Sequence, residues 1–309
     1  MRRRVIMRSE NGMLSDSATS NDDSSSTTTE PMIIDWKKGE LLGRGSFGFV
    51  YEGITDGGFF FAVKELSLLD QGDEERQRTI QLEQVKQPQE IAHLSQLQHE
   101  NIVQYFGTSR KTILQYFGFS DESNLYIFLE LVTKGSLLSL YQMYNLQDSQ
   151  VSAYTEQILH GLKYLHDRDV VHRNIKCANI LVDANGSIKL ADFGLAKSIK
   201  FNDVESCNRT VFWMAPEVVK NRAYGNAADI WSLGCTVLEM LTRQFPYFNL
   251  EFVQALFKIG QGDRPLIPES LSSNARDFII RCLQVDPNAR PTAAMLLDHP
   301  FVKQTHPLS

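Results

Sequence analysis

Residues 171–196 constrain this chain more than any other stretch. They contain a His-Arg dipeptide, then Asn179, two short apolar runs, and an Asp-Phe-Gly tripeptide that begins at Asp192. Amide and carboxylate oxygens are ligands that Mg²⁺ prefers. Alone, Asn179 could cap a turn and Asp192 could be an ordinary loop carboxylate. Because both flank one predicted hairpin, we favour a functional role for the two residues together.

Composition excludes several classes of protein. The 309 residues are 42% hydrophobic and 22% charged, as in a soluble globular protein. A formal net charge of −6 gives no basic surface for nucleic acid. No apolar run reaches the roughly 18 residues of a membrane span, and no apolar core follows the N-terminal arginines, so no secretory signal is predicted. An Arg-rich transit segment is the alternative.

The four cysteines are dispersed and contain no Cys-x-x-Cys pair. This spacing predicts neither disulfides nor a zinc site, and it is typical of a reducing compartment. We therefore expect a cytoplasmic or nuclear protein. Residues 1–31 are rich in Ser, Thr, Asp and Asn, which predicts a disordered tail. The alternative for this tail is a cluster of phosphorylation sites, and residues 304–309 are a second short tail.

A glycine-rich turn joins two strand-like runs near the start of the ordered part. Gly43, Gly45 and Gly48 allow the backbone to approach a polyphosphate closely, although a plain hairpin turn is the alternative. A strand follows Gly48, whereas a dinucleotide-binding site needs a helix there. The next strand-like run ends near Lys64, which we interpret as a phosphate-holding lysine rather than a solvated one.

Helical periodicity dominates the second half of the chain. Asp148 is a plausible N-cap for a helix whose apolar residues include Val151 and Leu162. Residues 228–241 are apolar nearly all round, which predicts a buried helix. The chain therefore combines a strand-rich first part with a helical second part.

In this order, the motifs over residues 36–302 resemble those of protein kinases. Lys176 and Thr210 are choices typical of serine/threonine kinases. The resemblance is above all to MAP kinase kinase kinases of the plant MEK-kinase group. It is carried by residues 177–185, 212–217, 228–239 and 290–294. It implies an α+β, two-lobed protein kinase fold, with the N-lobe and hinge in 32–132 and the C-lobe in 133–303.

The resemblance also implies ATP and Mg²⁺ as cofactors. Asp192 would hold a Mg²⁺ between the β- and γ-phosphates, and Asn179 would hold a second Mg²⁺. Glu90 would pair with Lys64, unless Glu90 is simply a surface carboxylate. The residues expected to contact the nucleotide are Leu42, Gly43, Gly45, Gly48, Val50, Ala62, Lys64, Leu129, Glu130, Val132 and Leu181.

Other site residues are implied by the same resemblance. Lys176 would act beside the catalytic position, and Arg173 would receive a phosphate on the activation loop. Candidate phosphorylation sites are Ser198, Ser206 and Thr210. Glu217 could pair with Arg290 to lock the substrate-binding segment, and Asp229 would be structural.

Four features depart from the kinase pattern. Asn174 stands where the family has the acid that accepts the substrate hydroxyl's proton. Arg209 replaces a glycine before Thr210, and Pro88 lies just before Glu90, where proline can break a helix. Gln-Tyr-Phe-Gly occurs twice, at 104–107 and 115–118, and we interpret the first copy as the strand. The alternative for Pro88 and the repeat is an error in the gene model.

The sequence thus leaves three functional hypotheses. The first is a serine/threonine kinase of the MAP kinase kinase kinase type with impaired catalysis, which has MAP kinase kinases as substrates and an upstream activating kinase. The second is an ATP-binding pseudokinase that acts as a scaffold or competitor in the same cascade. The third is a fold-defective chain that binds little.

Overall fold

The computed structural model of the chain describes residues 33, 35–45, 48–67, 96–113, 122–192, 210–220 and 225–303. An antiparallel sheet forms its first part, and helices dominate the second part. This confirms the predicted α+β architecture. The boundaries of the two tails and two lobes stay predictions, and the tail 1–31 lies outside the described residues.

The regular elements come in two groups along the chain. The strands are β1 (Trp36–Gly45), β2 (Gly48–Thr55), β3 (Phe60–Ser67), β4 (Tyr105–Ile113), β5 (Glu122–Leu129), β6 (Ile180–Val182) and β7 (Ile188–Leu190). The helices are α1 (Leu137–Met143), α2 (Asp148–His166), α3 (Pro216–Val219), α4 (Asn226–Thr242), α5 (Phe252–Gln261), α6 (Ser273–Cys282) and α7 (Ala293–Leu296). Short 3₁₀ turns lie at Cys177–Asn179, Val211–Trp213 and Pro287–Ala289.

The first five strands form one sheet in the order β1-β2-β3-β5-β4. Side chains alternate across a strand, so Phe61, Val63, Tyr126 and Phe128 share one face and form a buried cluster. Trp36 covers this cluster, with its ring centroid 5.4 Å from that of Tyr126 and 5.7 Å from that of Phe128. Edge-on contacts between aromatic rings stabilise such a cluster beyond the area that it buries.

The first copy of the repeated tetrapeptide leads into β4. Tyr105 pairs with Leu129, and Gly107 pairs with Phe128 at the end of β5. The structure therefore confirms that the first copy forms the strand beside the hinge. The second copy, at 115–118, lies outside the described residues.

Helix α2 buries the predicted apolar face, with Val151 and Leu162 both fully buried. The prediction that Asp148 caps this helix is wrong, because Asp148 is its first helical residue. The N-cap is Gln147, whose backbone N–H donates to Gln150 Oε1 at 2.9 Å. The side chain of Gln150 thus satisfies the helix end one residue earlier than the prediction placed it.

Helix α4 is the buried centre of the helical part, as its apolar sequence predicts. Its residues from Ala228 to Met240 are all buried, and Trp231 is fully so. No helix within the described ranges is long and apolar enough to cross a membrane. Two carboxylates of α4, Asp229 and Glu239, bond other parts of the protein around the candidate site.

The close approach of β2 and β3 predicts that Gly53→Ala lowers the free energy of unfolding by about 1–3 kcal/mol. A Cβ atom at Gly53 would lie 2.6 Å from the Phe61 ring and 2.8 Å from Val63. Urea unfolding without nucleotide measures this change. Gly43→Ala is the matched control, because a Cβ atom at Gly43 meets nothing within 4 Å. Equal stability of the two variants would contradict this account of the sheet.

Candidate active site

The sheet brings most predicted nucleotide residues onto one face. Val50 pairs with both Gly43 and Lys64, and Ala62 pairs with Leu129. Residues opposite each other in a ladder share a face. The Val50, Ala62, Lys64 and Leu129 side chains therefore line the face opposite the aromatic cluster. Across the hinge, Leu181 lies on the short strand β6.

In the hinge, residues 129–132, both the backbone and the side chain of Glu130 make contacts. Its backbone N–H donates to the Gln104 carbonyl at 2.8 Å, and its Oε2 accepts from the Gln104 N–H at 3.1 Å. Lys189 Nζ, on β7, lies 3.0 Å from the same Oε2. Because its N–H is already bonded, Glu130 can offer only its backbone carbonyl to an adenine edge. The predicted use of Val132 stays a prediction.

Lys64 forms a buried ion pair with Asp192, in a hydrogen bond from Nζ to Oδ1. Burial alone would raise the pKa of Asp192, but the charge and hydrogen bond of Lys64, helped by Lys176, lower it below its usual range. The Asp192 carboxylate is therefore ionised. An ionised carboxylate beside an ammonium group suits the polyphosphate and divalent cation of a nucleotide.

The donor set fits Mg²⁺. Asn179 Nδ2 donates to the backbone carbonyl of Asn174 at 2.9 Å, so Asn179 Oδ1 is turned away from this bond and is available to a cation. Within the described ranges there is no cluster of three acidic, His or Cys residues that could hold a metal alone. Mg²⁺ commonly takes one or two protein oxygens and completes its shell with phosphate and water. Asn179 and Asp192 match that arrangement.

The loop at residues 172–177, which corresponds to the catalytic loop of the resemblance, is held by hydrogen bonds to Asp229 on the buried helix α4. The backbone N–H groups of His172 and Arg173 donate to its two oxygens at 2.8 and 2.7 Å. His166 Nε2 lies 2.9 Å from Asp229 Oδ2. Arg173 has a φ of 70°, which is strained for a side chain of its size. The contacts with Asp229 hold that strain in place.

Asn174 lies inside this loop and is buried, with 5% of its surface exposed. Its backbone N–H donates to His172 Nδ1 at 3.3 Å. Its side-chain Oδ1 is buried and has no hydrogen-bond partner among the described residues. An orphaned acceptor of this kind is rare in protein interiors. It is therefore placed to accept a hydrogen bond from a group that enters the site.

Lys176 joins the catalytic loop to residues 210–217, the segment that the resemblance implies for substrate binding. Its Nζ donates to Thr210 Oγ1 at 2.9 Å, and both residues are buried. The use of Thr210 as a phosphorylation site stays a prediction. Arg173 as a phosphate receptor stays a prediction.

The predicted pair of Glu217 and Arg290 is present and buried. The two guanidinium nitrogens donate to the two carboxylate oxygens at 2.6 and 2.8 Å. Arg290 also donates to the Ala227 and Gln284 carbonyls. Bidentate geometry makes this a strong, directional contact. It fixes the end of the substrate-binding segment against the C-terminal helices.

Several predicted residues lie outside the described ranges. They include the expected partner of Lys64, two of the four departures from the kinase pattern, and two candidate phosphorylation sites. These residues are Glu90, Pro88, Arg209, Ser198 and Ser206. Gly48 is described, and its φ of 152° is one that residues with a side chain rarely adopt.

Sequence reasoning missed two residues beside the catalytic loop, Tyr141 and Glu239. Glu239 is buried in α4, where it accepts hydrogen bonds from the Tyr141 hydroxyl and the Trp213 indole, both at 3.0 Å. The signal was a second carboxylate, besides Asp229, near the end of a helix that is mostly apolar. A charge in such a helix must have partners, but the sequence alone does not say which.

The sequence profile of the protein kinase domain matches residues 36–302. The chain belongs to the protein kinase family. Mitogen-activated protein kinase kinase kinase 1 of Arabidopsis thaliana is 60% identical over 296 residues, which cover 95% of this chain and 46% of that protein. Mitogen-activated protein kinase kinase kinase 1a of Physcomitrium patens is 54% identical, over 94% of this chain and 36% of that protein.

These comparisons confirm the resemblance to plant MAP kinase kinase kinases. Mitogen-activated protein kinase kinase kinase 9 of Arabidopsis thaliana, 55% identical, follows the same pattern, with 96% of this chain and 37% of that protein covered. The kinase chain thus spans less than half the length of these relatives. Its fold and family are shared with them, whereas activity and substrates require a separate argument.

The burial of His172 predicts a loss of stability in mild acid. Desolvation lowers its pKa to about 4, although Asp229 and Asp192 oppose this shift. The neutral ring therefore stabilises the fold fully above the unfolded pKa of about 6.5, and this contribution is lost as the pH falls towards 4. Between pH 7 and pH 5 we expect the free energy of unfolding to fall by about 2 kcal/mol.

Urea unfolding of the metal-free chain at both pH values measures this loss. His172→Gln cannot titrate and serves as the control, since every other group remains. We expect the native chain to lose more stability than the variant over this interval. Parallel pH profiles would contradict the buried neutral state of His172.

Proposed function

We propose that this chain is a serine/threonine protein kinase of the MAP kinase kinase kinase type, with slow phosphoryl transfer from ATP to MAP kinase kinases. The names of the relatives describe kinases that act on a MAP kinase kinase. The observation that carries the proposal is the buried Oδ1 of Asn174, which has no hydrogen-bond partner among the described residues and shares its loop with Lys176 and Asn179. An upstream kinase that activates the chain is part of the same proposal.

The Asn174 amide explains why transfer is slow rather than absent. Its oxygen can accept a hydrogen bond from the substrate hydroxyl, but an amide cannot take the proton near pH 7. General-base assistance contributes about 10²–10⁴ in rate, which equals about 3–5 kcal/mol of activation free energy. Transfer must then proceed with the hydroxyl proton lost to water or to the phosphoryl group.

The remaining residues supply the larger part of the catalysis. Phosphoryl transfer depends mostly on positioning and on the stabilisation of phosphate charge. Lys64 and Asp192 form the charged pair at the phosphate end, and bound Mg²⁺ would neutralise charge between Asn179 and Asp192. Lys176, tied to Thr210, puts a further positive charge next to the hydroxyl position. These contacts support residual activity.

A second candidate function rests on the same oxygen. A chain that binds ATP and accepts the substrate hydroxyl without deprotonating it would hold a MAP kinase kinase unproductively. Such a pseudokinase would act as a scaffold or a competitor in the cascade. The two candidates share nucleotide binding and differ only in the rate of transfer.

Asn174→Asp should raise transfer to a kinase-dead MAP kinase kinase by at least about a hundredfold, because a carboxylate restores the proton acceptor. The substitution keeps the side-chain shape and the backbone bonds of residue 174 to His172 and Asn179. The measurement is the initial rate of phosphate incorporation. Asn185→Asp, in the exposed turn before β7, adds the same charge elsewhere and should change nothing.

Equal rates for the native chain and Asn174→Asp would refute the role given to Asn174. If the native chain transfers no phosphate and Asn174→Asp does, the pseudokinase candidate is favoured. If both are inactive but bind nucleotide, the cause lies in Arg209, Pro88 or the repeat.

Mg-ATP should stabilise the native chain against thermal unfolding. At a hundredfold excess over Kd the gain is about 2.7 kcal/mol. Lys64→Ala and Asp192→Ala should abolish this gain, because they remove the two charged groups at the phosphate end. Lys163→Ala breaks the exposed ion pair with Asp167 and should leave the gain intact. A native chain without any gain would contradict both candidate functions and favour the fold-defective alternative.

A further inference from the structure

A cavity of about 450 Å³ lies behind the hinge, and the proposed catalytic scheme does not use it. Its lining comes from Phe59 and the start of β3, from the residues that lead into β4, and from the hinge. Lys189 on β7 lines it as well. Its volume falls within the range of small-molecule sites, which is about 300–1,000 Å³. We call this space the rear cavity.

The rear cavity is separate from the expected nucleotide site. Of the described residues expected to contact the nucleotide, only Glu130 lines it. Phe59 stacks on Phe61, a member of the buried aromatic cluster, with ring centroids 6.2 Å apart. Phe106 packs against the same cluster. The rear cavity therefore borders the aromatic face of the sheet, opposite to the face that carries Lys64.

Aromatic side chains form much of the apolar part of the rear cavity. Phe59 and Phe60 are adjacent, and each is 50% exposed. The Phe106 ring meets the Phe59 ring edge-on, with centroids 5.6 Å apart. Exposed apolar side chains that lie together at one cavity are a feature of binding surfaces. An aromatic ligand could pack on these rings and remove their apolar surface from water.

The two charged residues that line the rear cavity neutralise each other. Lys189 Nζ lies 3.0 Å from Glu130 Oε2, and it also donates to the Glu100 backbone carbonyl at 3.0 Å. A charged ligand would lose its hydration here without gaining an unpaired counter-charge, which is costly. The charge balance therefore favours an uncharged ligand.

Two polar atoms of the lining residues can still bond a ligand. His99 Nδ1 accepts from the Asn101 N–H at 3.0 Å, and burial lowers the pKa of His99, although Glu100 opposes this shift. The neutral ring therefore carries its proton on Nε2, which is a donor. Among the described residues, no contact takes up this Nε2 or Glu130 Oε1. A hydroxyl group can accept from the first and donate to the second.

We propose that the rear cavity binds an uncharged aromatic small molecule that carries a hydroxyl group. The rings of this ligand pack on Phe59 and Phe60, and its hydroxyl bonds Glu130 and His99. The ligand thus holds the side chain of Glu130, whose backbone carbonyl is the group left for an adenine edge. The inference does not depend on the proposed rate of phosphoryl transfer.

The first test adds 2-naphthol, an uncharged probe with two rings and one hydroxyl, to the full chain labelled at its Ile and Leu methyl groups. Ile102 and Leu131 line the rear cavity, whereas Leu42 and Leu181 are expected at the nucleotide. A ligand of this size should bind with a Kd of about 1 mM or lower. The ring current of the bound probe should therefore shift the NMR signals of Ile102 and Leu131. Shifts confined to Leu42 and Leu181, or no shifts at all, would overturn the proposal.

The second test compares 2-naphthol with 2-naphthoate, which has the same rings and a negative charge. The carboxylate should bind at least about tenfold more weakly, because the paired Lys189 and Glu130 offer it no counter-charge. Glu130→Gln leaves Lys189 without its carboxylate partner, so the preference should then shift towards 2-naphthoate. Equal or tighter binding of 2-naphthoate to the native chain would overturn the assignment of an uncharged ligand.

The third test removes one aromatic side chain from the rear cavity. Phe59→Ala should weaken the binding of 2-naphthol by about fivefold, because an aromatic contact with the probe is lost. Phe257→Ala is the matched control, since Phe257 lies on α5, is 63% exposed and does not line the rear cavity. A native-like methyl spectrum shows that each variant is folded. Equal affinities of the two folded variants for 2-naphthol would contradict the proposed site.

Discussion

The active site depends first on the carboxylate of Asp229. It fixes two successive backbone N–H groups of the catalytic loop, one of which belongs to Arg173 in a strained conformation. Strain of this kind costs about 1–3 kcal/mol and persists only where neighbouring contacts over-determine it. The buried helix α4 provides that rigidity, because its whole circumference is packed. The path of this loop sets the places of Asn174, Lys176 and Asn179, the residues proposed to act on hydroxyl, phosphate and metal.

The hydrogen bonds that hold residue 174 in the catalytic loop do not depend on its side chain. The bonds that hold the residue use its backbone N–H and carbonyl, which Asn and Asp share. In the proposed function, the replacement of Asp by Asn at residue 174 is therefore a chemical change that leaves the backbone bonds of the loop intact. Under that proposal, the expected nucleotide and metal residues stay in place while the proton acceptor is missing.

Local patterns in the sequence predicted the parts of the fold that depend on local physics. Strand-like runs predicted the strands around Lys64, and a helix that is apolar nearly all round predicted the burial of α4. The capping prediction at Asp148 failed because Gln147 and Gln150 satisfy the helix end one residue earlier. Glu239 was missed because its partners come from distant segments, and no periodicity reports such contacts. The metal and phosphate residues stay predictions, which rest on the residue types that such chemistry allows, and the structure brings two of them, Lys64 and Asp192, together as an ion pair.

The pairing at the start of β4 determines where this part of the chain can gain residues. Tyr105 and Gly107 pair with the end of β5 beside the hinge, so the alignment of the ladder is fixed there by the first copy of the repeat. The entropy cost of closing a connection between two paired strands rises only with the logarithm of its length. Extra residues between Ile113 and Glu122 therefore need not shift the pairing beside the hinge.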